Sequence, residues 1–136
     1  MSDFENMIRD NEERKRLANE REDDLRSLAT AIHSGFASKL GCKAAELRYE
    51  FVGLEPNSKN VPTCFEFDLT IVQLGKTLRV VIFHRRDHYD IELWNTHAGQ
   101  LAAPGTTHRV CADDAESLAK VYDAMGDHFN RMQLSA

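Results

Sequence analysis

The stretch from Thr63 to Trp94 reads TCFEFDLTIVQLGKTLRVVIFHRRDHYDIELW, and it decides the fold because apolar and polar residues alternate along it. This alternation predicts three consecutive antiparallel strands. Gly75-Lys76 is typical of a two-residue hairpin turn, since glycine supplies the positive φ that a tight turn needs. A turn at this position would pair Ile71 with Val80.

The second hairpin turn lies at residues 85–88, and burial decides between two registers there. A loop over these four residues pairs Ile82 with Ile91. A shorter loop would pair Ile82 with Asp90 instead, and would bury carboxylates that have no partners. Such burial is unfavourable, so the sequence predicts the first register.

A further strand precedes these three, because Leu47, Tyr49 and Phe51 alternate with charged residues. The four strands together have one apolar face, which we expect to point towards the core. This inner face carries Leu47, Tyr49, Phe51, Phe65, Phe67, Leu69, Ile71, Leu78, Val80, Ile82, Tyr89, Ile91 and Leu93.

Helical patterns flank the strands at both ends of the chain. One apolar stripe, at steps of three and four residues, consists of Leu25, Leu28, Ala29, Ile32, Phe36 and Leu40. The other consists of Leu118, Tyr122, Met125, Phe129 and Met132. Asp113 and Glu116 form an Asp-led capping box that predicts where the second helix begins.

These patterns together predict an α+β fold, a two-layer sandwich with the element order α-β-β-β-β-α. A four-stranded antiparallel meander has the N- and C-terminal helices on one face. Residues 95–107 resemble a loop, since they include Gly99, Pro104 and Gly105. Residues 108–111 leave open whether a fifth strand follows.

The start of the first predicted helix is unusual because twelve of the sixteen residues in 9–24 are charged. A continuous helix over 3–40 would be about 57 Å long, whereas a compact domain of this size has a radius of gyration of about 14 Å. The helix must therefore overhang, unless it breaks near residue 24 or frays into a disordered arm. We assign residues 1–24 to a charged N-terminal helical arm or extension, and 25–136 to a single α+β domain.

Composition limits the classes of function. The chain has 136 residues and a formal net charge of −5, which suits one domain and argues against general nucleic-acid or anionic-membrane binding. Three cysteines without metal-ligand spacing indicate free thiols in a reducing compartment. The acidic start lacks a secretory signal, and no apolar run is long enough to span a membrane. We expect a cytoplasmic protein that binds neither nucleic acid nor membrane.

The outer face of the predicted sheet mixes carboxylates with apolar and aromatic side chains. Alternation assigns Leu54 to this face as well. We predict that a strip of this face binds a protein partner, because Trp and Arg are enriched at binding hot spots. The strip consists of Val72, Arg79, Val81, Phe83 and Trp94. The predicted register places Val72, Arg79 and Trp94 in one row, with a cation–π contact between Arg79 and Trp94. A covering loop is the alternative.

No catalytic, cofactor or metal site can be assembled from the remaining polar residues. His84 and His88 are four residues apart, but the hairpin sends the first inward and the second outward, so they would not share an ion. His108 and Cys111 supply only two of the four ligands that zinc needs. We therefore expect no catalytic residues, no metal and no cofactor.

The most economical function is a non-enzymatic protein-binding module of the adaptor, chaperone or inhibitor type. It would use the outer sheet face and the N-terminal helix, whose apolar tip carries Phe4, Met7 and Ile8, and it would be a homodimer. The alternative is a small-ligand binder or an enzyme with a cleft near the 95–107 loop. That cleft would contain His84, His88 and His97.

Overall fold

The structure, a computed structural model, describes residues 2–97, 100–111 and 114–132, and the side chains of these except at positions 97, 103 and 104. It contains two helices and a five-stranded antiparallel sheet whose strands lie in chain order. The elements are α1 (Asp3–Leu40), a 3-10 turn (Ala44–Glu46), β1 (Leu47–Pro56), β2 (Pro62–Ile71), β3 (Lys76–His84), β4 (Tyr89–His97), β5 (Gln100–Val110) and α2 (Ala115–Arg131).

The α+β class and the element order are confirmed, with both helices on the inner face and one strand added. The added strand, β5, occupies most of the segment that resembles a loop, and it pairs Ile91 with His108 and Leu93 with Thr106. It lies at the edge of the sheet, where proline and glycine are tolerated, and its pairing shifts at a bulge between Leu93 and Asn95. Glycine and proline therefore mark a bulge here and do not end the strand.

The predicted register of the first hairpin is wrong, although the predicted faces are right. Val80 pairs with Phe67, not with Ile71, because the turn spans residues 72–75. Gly75 closes this turn in the left-handed region, at φ 64°, and its N–H donates to the carbonyl of Ile71 at 2.9 Å. The shift amounts to four residues, an even number, so every side chain keeps the face that alternation assigns to it.

Cross-strand partners explain why the longer turn is favoured. In the observed register Arg79 opposes Asp68, and Thr70 opposes Thr77 with their hydroxyl oxygens 2.8 Å apart. The predicted register would set Arg79 against Val72 and would leave Asp68 without its cation. Opposite charges and paired threonines each stabilise a sheet by about 0.2–1 kcal/mol.

The second hairpin has the predicted register, which pairs Ile82 with Ile91 and His84 with Tyr89. The first strand departs from simple alternation at one point. A bulge between Phe51 and Gly53 turns the rest of β1 over, so that Leu54 opposes Phe65 and packs against the core. The assignment of Leu54 to the outer face is therefore wrong.

The core lies between the inner face of the sheet and the two helices. Its largest fully buried side chains include Phe36 from α1, Met125 from α2, and Phe65, Phe67 and Ile82 from the sheet. The ring of Phe36 stacks on that of Phe129, with centroids 5.7 Å apart. The helices approach closely beside this pair, where the ring of Tyr122 lies against Gly35.

The predicted C-cap of α1 is confirmed, and α2 begins after Asp114. Gly41, at φ 71°, closes α1 as a left-handed C-cap, because a residue without Cβ adopts that conformation at little cost. Asp113 of the predicted capping box lies outside the described residues, and Asp114 caps α2 by accepting from the N–H of Glu116 at 3.0 Å. Over the described ranges, neither helix offers the length of apolar sequence needed to cross a bilayer.

Candidate interaction site

The five residues of the outer strip lie on the predicted side of the sheet, but they differ in exposure. Val72 is 51% exposed and lies in the β2–β3 turn, so it does not share a row with Arg79 and Trp94. Val81 is buried at 4%, and Phe83 and Trp94 are half-buried. The predicted row is therefore wrong in its first member, whereas Arg79 and Trp94 are direct neighbours on β3 and β4.

The guanidinium of Arg79 is held by carboxylates of β2. Its Nε donates to Oδ1 of Asp68 at 2.5 Å, and Nη1 donates to Oε2 of Glu66 at 3.3 Å. Its side chain is only 15% exposed, and these contacts raise its pKa. The predicted cation–π contact with Trp94 is absent from the described contacts, because Arg79 leans towards β2 and Trp94 is on β4.

Trp94 lies across the bulge of β5. A Cβ at Gly105 would sit 2.6 Å from Cε2 of the indole, so only glycine lets the ring approach the backbone this closely. The indole Nε1 donates to Oε1 of Glu92 at 3.0 Å. One ring face of Trp94 is thus covered by the chain itself, which reduces the surface it could offer a partner.

The remaining outer-face contacts pair Arg85 with a carboxylate and keep the Cys64 thiol protonated. Arg85 lies over the ring of Phe83 at 5.0 Å and donates to Asp90 at 2.9 Å. Burial raises the pKa of the Cys64 thiol to about 11, and the nearby carboxylates of Glu66 and Glu55 act in the same direction. A thiol with such a pKa stays protonated at neutral pH and is a poor nucleophile.

The three histidines of the alternative ligand site do not meet. His84 packs edge-on against Tyr89, and His88 contacts Asp87 and Asp90, both at the β3–β4 hairpin. His97 ends β4 at the other end, about 26 Å away at about 3.3 Å per residue. The side chain of His97 lies outside the described part, and the described residues contain no group of three or more potential metal ligands.

A buried polar chain on the inner face was missed by the sequence analysis. Nδ1 of His128 lies 2.6 Å from Oδ1 of Asn95, and its Nε2 lies 2.8 Å from the hydroxyl of Thr106. The same hydroxyl is 2.9 Å from Nε2 of His108. Each group is satisfied when His128 is neutral, donating to Asn95 and accepting from Thr106. The available signal was a histidine that continues the Val121–Met125 stripe of α2.

We expect this row of polar contacts around His128 to make the stability of the fold depend on pH. Burial lowers the pKa of His128, and also the pKa of His108, below the usual value of about 6.5. Depressed values mean that the unfolded state takes up protons first, so stability is full above about pH 6.5 and is lost as the pH falls. We expect the free energy of unfolding in urea to be lower at about pH 5.5 than at about pH 7.5.

His128→Gln tests the assignment, since glutamine keeps polar atoms at this position but does not titrate. We expect the variant to be less stable at neutral pH and to lose part of the dependence between the two pH values. His33→Gln is the control, because His33 lies on α1, contacts the carbonyl of Leu47 and takes no part in the polar contacts around His128. If the His128 variant kept the full pH dependence, the buried chain would not be its cause.

The first half of α1 contains no buried side chain. The helix is continuous through Asp23 and Asp24, and its first buried side chain is Leu25. Phe4 and Met7 near its start are 70% and 69% exposed. Met7 precedes Leu25 by five turns of about 3.6 residues, so both project from the same side of the helix. We call residues 3–24 the projecting half.

Comparisons of this chain with protein-family models, with curated proteins and with solved structures found no significant match.

Proposed function

We propose that the protein is a non-enzymatic protein-binding module that acts as a homodimer through the projecting half of α1. The proposal rests on the exposure of Phe4 and Met7. They lie on the side of α1 that packs against the sheet from Leu25 onwards. An amphipathic helix normally buries such a stripe, and neighbouring exposed apolar groups at consecutive turns favour a contact with another protein. We favour a second copy of this chain as the partner, because in a symmetric dimer the same surface of each copy covers that of the other.

The size of the projecting half indicates that it needs a second surface. It is about 33 Å long and about 10 Å wide, so its footprint is at most about 330 Å², and its middle faces the β1–β2 loop of the same chain. Each partner in a stable complex buries about 800 Å². The exposed parts of the outer sheet face, around Phe83 and Trp94, supply the second surface in this proposal. Arg79 and Val81 are mostly buried and make little contact themselves in this proposal.

The three thiols support a reducing, cytoplasmic compartment, since Cys42, Cys64 and Cys111 are all free. The acidic net charge favours a protein partner over nucleic acid or an anionic membrane. We therefore propose adaptor, chaperone or inhibitor activity and no enzymatic activity, with a second copy of this chain as the first partner.

The test is the oligomeric state of the Ile8→Glu variant. Ile8 is 44% exposed at the tip of α1, so a carboxylate there should leave the fold intact. In the dimer it would bury an unpaired charge, which is strongly unfavourable. We expect sedimentation velocity to show a concentration-dependent dimer for the wild type and a monomer for Ile8→Glu, with an unchanged circular-dichroism spectrum.

Leu74→Glu is the matched control, because Leu74 is also 44% exposed but lies in the β2–β3 turn. We expect it to keep the mass of the wild type. A wild-type chain that sediments as a monomer at all concentrations would contradict the homodimer, and equal effects of the two variants would contradict the role of the helix.

A further inference from the structure

The middle of the projecting half passes over the β1–β2 loop, and a groove of about 260 Å³ lies between them. The helix contributes Asn11, Arg14, Lys15 and Ala18, and the loop contributes Ser58, Lys59 and Asn60. The lining therefore holds three cations and three neutral side chains that can donate hydrogen bonds, with no carboxylate among them. In a chain of net charge −5, such a lining is a local exception.

The three cations have no acidic partners in the part of the chain that the structure describes. The ion pairs formed there involve Arg16, Arg26, Lys39, Arg79, Arg85 and His88. Asp10 lies one turn before Arg14 and borders the neighbouring groove, yet it forms none of these pairs. The described residues therefore place no carboxylate in direct ion-pair contact with the cations of the groove.

The loop side of the groove is held in one conformation. Oδ1 of Asn57 accepts from the N–H of Lys59 at 2.9 Å and from that of Val61 at 3.1 Å. Asn60 adopts φ 60°, a left-handed conformation that asparagine tolerates better than most residues. A fixed loop keeps Lys59 opposite the helix, so a ligand would not have to order this segment on binding.

We propose that this groove binds the phosphoryl group of a small phosphate ester. A phosphate ester carries a charge of about −1.5 to −2 and three strong acceptor oxygens, which match three cations and several neutral donors. A single carboxylate would leave most of the positive charge uncompensated. The volume lies below the range of about 300–1,000 Å³ for sites of drug-sized ligands, which favours a small anion. This site goes beyond the proposed homodimer and does not depend on it.

The experiment is an NMR titration of the ¹⁵N-labelled protein, followed at the backbone amides of residues 58–60. The probes are inorganic phosphate, O-phosphoserine and succinate, the last being a dianion without a phosphoryl group. We expect saturable shifts with both phosphates and weak, unsaturated shifts with succinate. Tighter binding of O-phosphoserine than of phosphate would support an ester as the ligand, and equal binding would contradict recognition of the ester.

The Arg14→Gln/Lys59→Gln double variant removes one cation from each side of the groove. We expect its affinity for phosphate to be at least about tenfold lower, since each of the two lost cations can donate a charge-assisted hydrogen bond to the anion. Lys120→Gln, on the exposed surface of α2, should bind as the wild type does. Equal shifts with succinate and phosphate, or unchanged affinity in the double variant, would overturn the proposal.

Discussion

Replacing Phe36 by alanine is expected to lower the free energy of unfolding by about 3–5 kcal/mol, measured by urea denaturation. Phe36 is fully buried and stacks on Phe129, so its removal opens a cavity where both helices meet the sheet. Two-state domains have a total stability of about 5–15 kcal/mol. The variant should therefore lose a large part of its stability and melt at a much lower temperature.

Phe4→Ala is the matched control for this result, because it is the same substitution in the same helix. Phe4 is 70% exposed in the single chain, so at protein concentrations where the chain is monomeric its removal should change stability by less than about 0.5 kcal/mol. The difference between the two free energies of unfolding compares how strongly the two ends of α1 pack against the rest of the protein. A similar loss of stability in both would show that the start of α1 is docked in solution, and would contradict a projecting half.

The second large effect on stability is expected for Gly35→Ala. This substitution normally stabilises a helix, but here it should destabilise the protein. Alanine is more stable than glycine in a helix interior by about 1 kcal/mol. Here a Cβ would lie 2.5 Å from Cζ of Tyr122, so the ring would have to move. The movement would strain the hydrogen bond from the Tyr122 hydroxyl to the carbonyl of Ala31, now 3.2 Å long. We expect Gly35→Ala to cost about 1–3 kcal/mol, as other overpacked sites do.

A double-mutant cycle with Tyr122→Ala separates the two effects. Once the ring is gone, Gly35→Ala should stabilise the protein by about 1 kcal/mol, the ordinary helix preference. The sign of the change should therefore reverse between the two backgrounds, and urea denaturation of the four proteins would show it. A stabilising effect of Gly35→Ala in the wild-type background would contradict the close approach of the helices.

The sheet shows that the predicted faces can be right even where the predicted strand register is wrong. The first hairpin was expected to turn at Gly75-Lys76, and the observed turn over residues 72–75 moves the partner of Val80 by four residues. Ile82 is buried and Phe83 lies on the opposite face in either register, because an even shift preserves the faces. Leu54 was misassigned because the bulge beside Gly53 inserts a single residue, which is an odd shift.

The candidate site was less predictable than the faces, because its properties depend on partners far apart in the chain. The sequence contains Arg79 and Trp94, but only the assembled sheet brings Asp68 to the first and Gly105 to the second. The same holds for His128, whose partner Asn95 comes from another element. The exposed tip of α1 was foreseen, because an overhang follows from helix length alone.

Local patterns predicted the class of the fold and the side chains that face the core along the regular parts of the strands and helices. Those properties follow from alternation along strands and from stripes along helices, both of which are local. The strand register, the fifth strand, the partners of Arg79 and the polar contacts around His128 are set by long-range packing. These depend on pairing and burial between distant segments, and such contacts acquire their energies only when the whole sheet and both helices are in place.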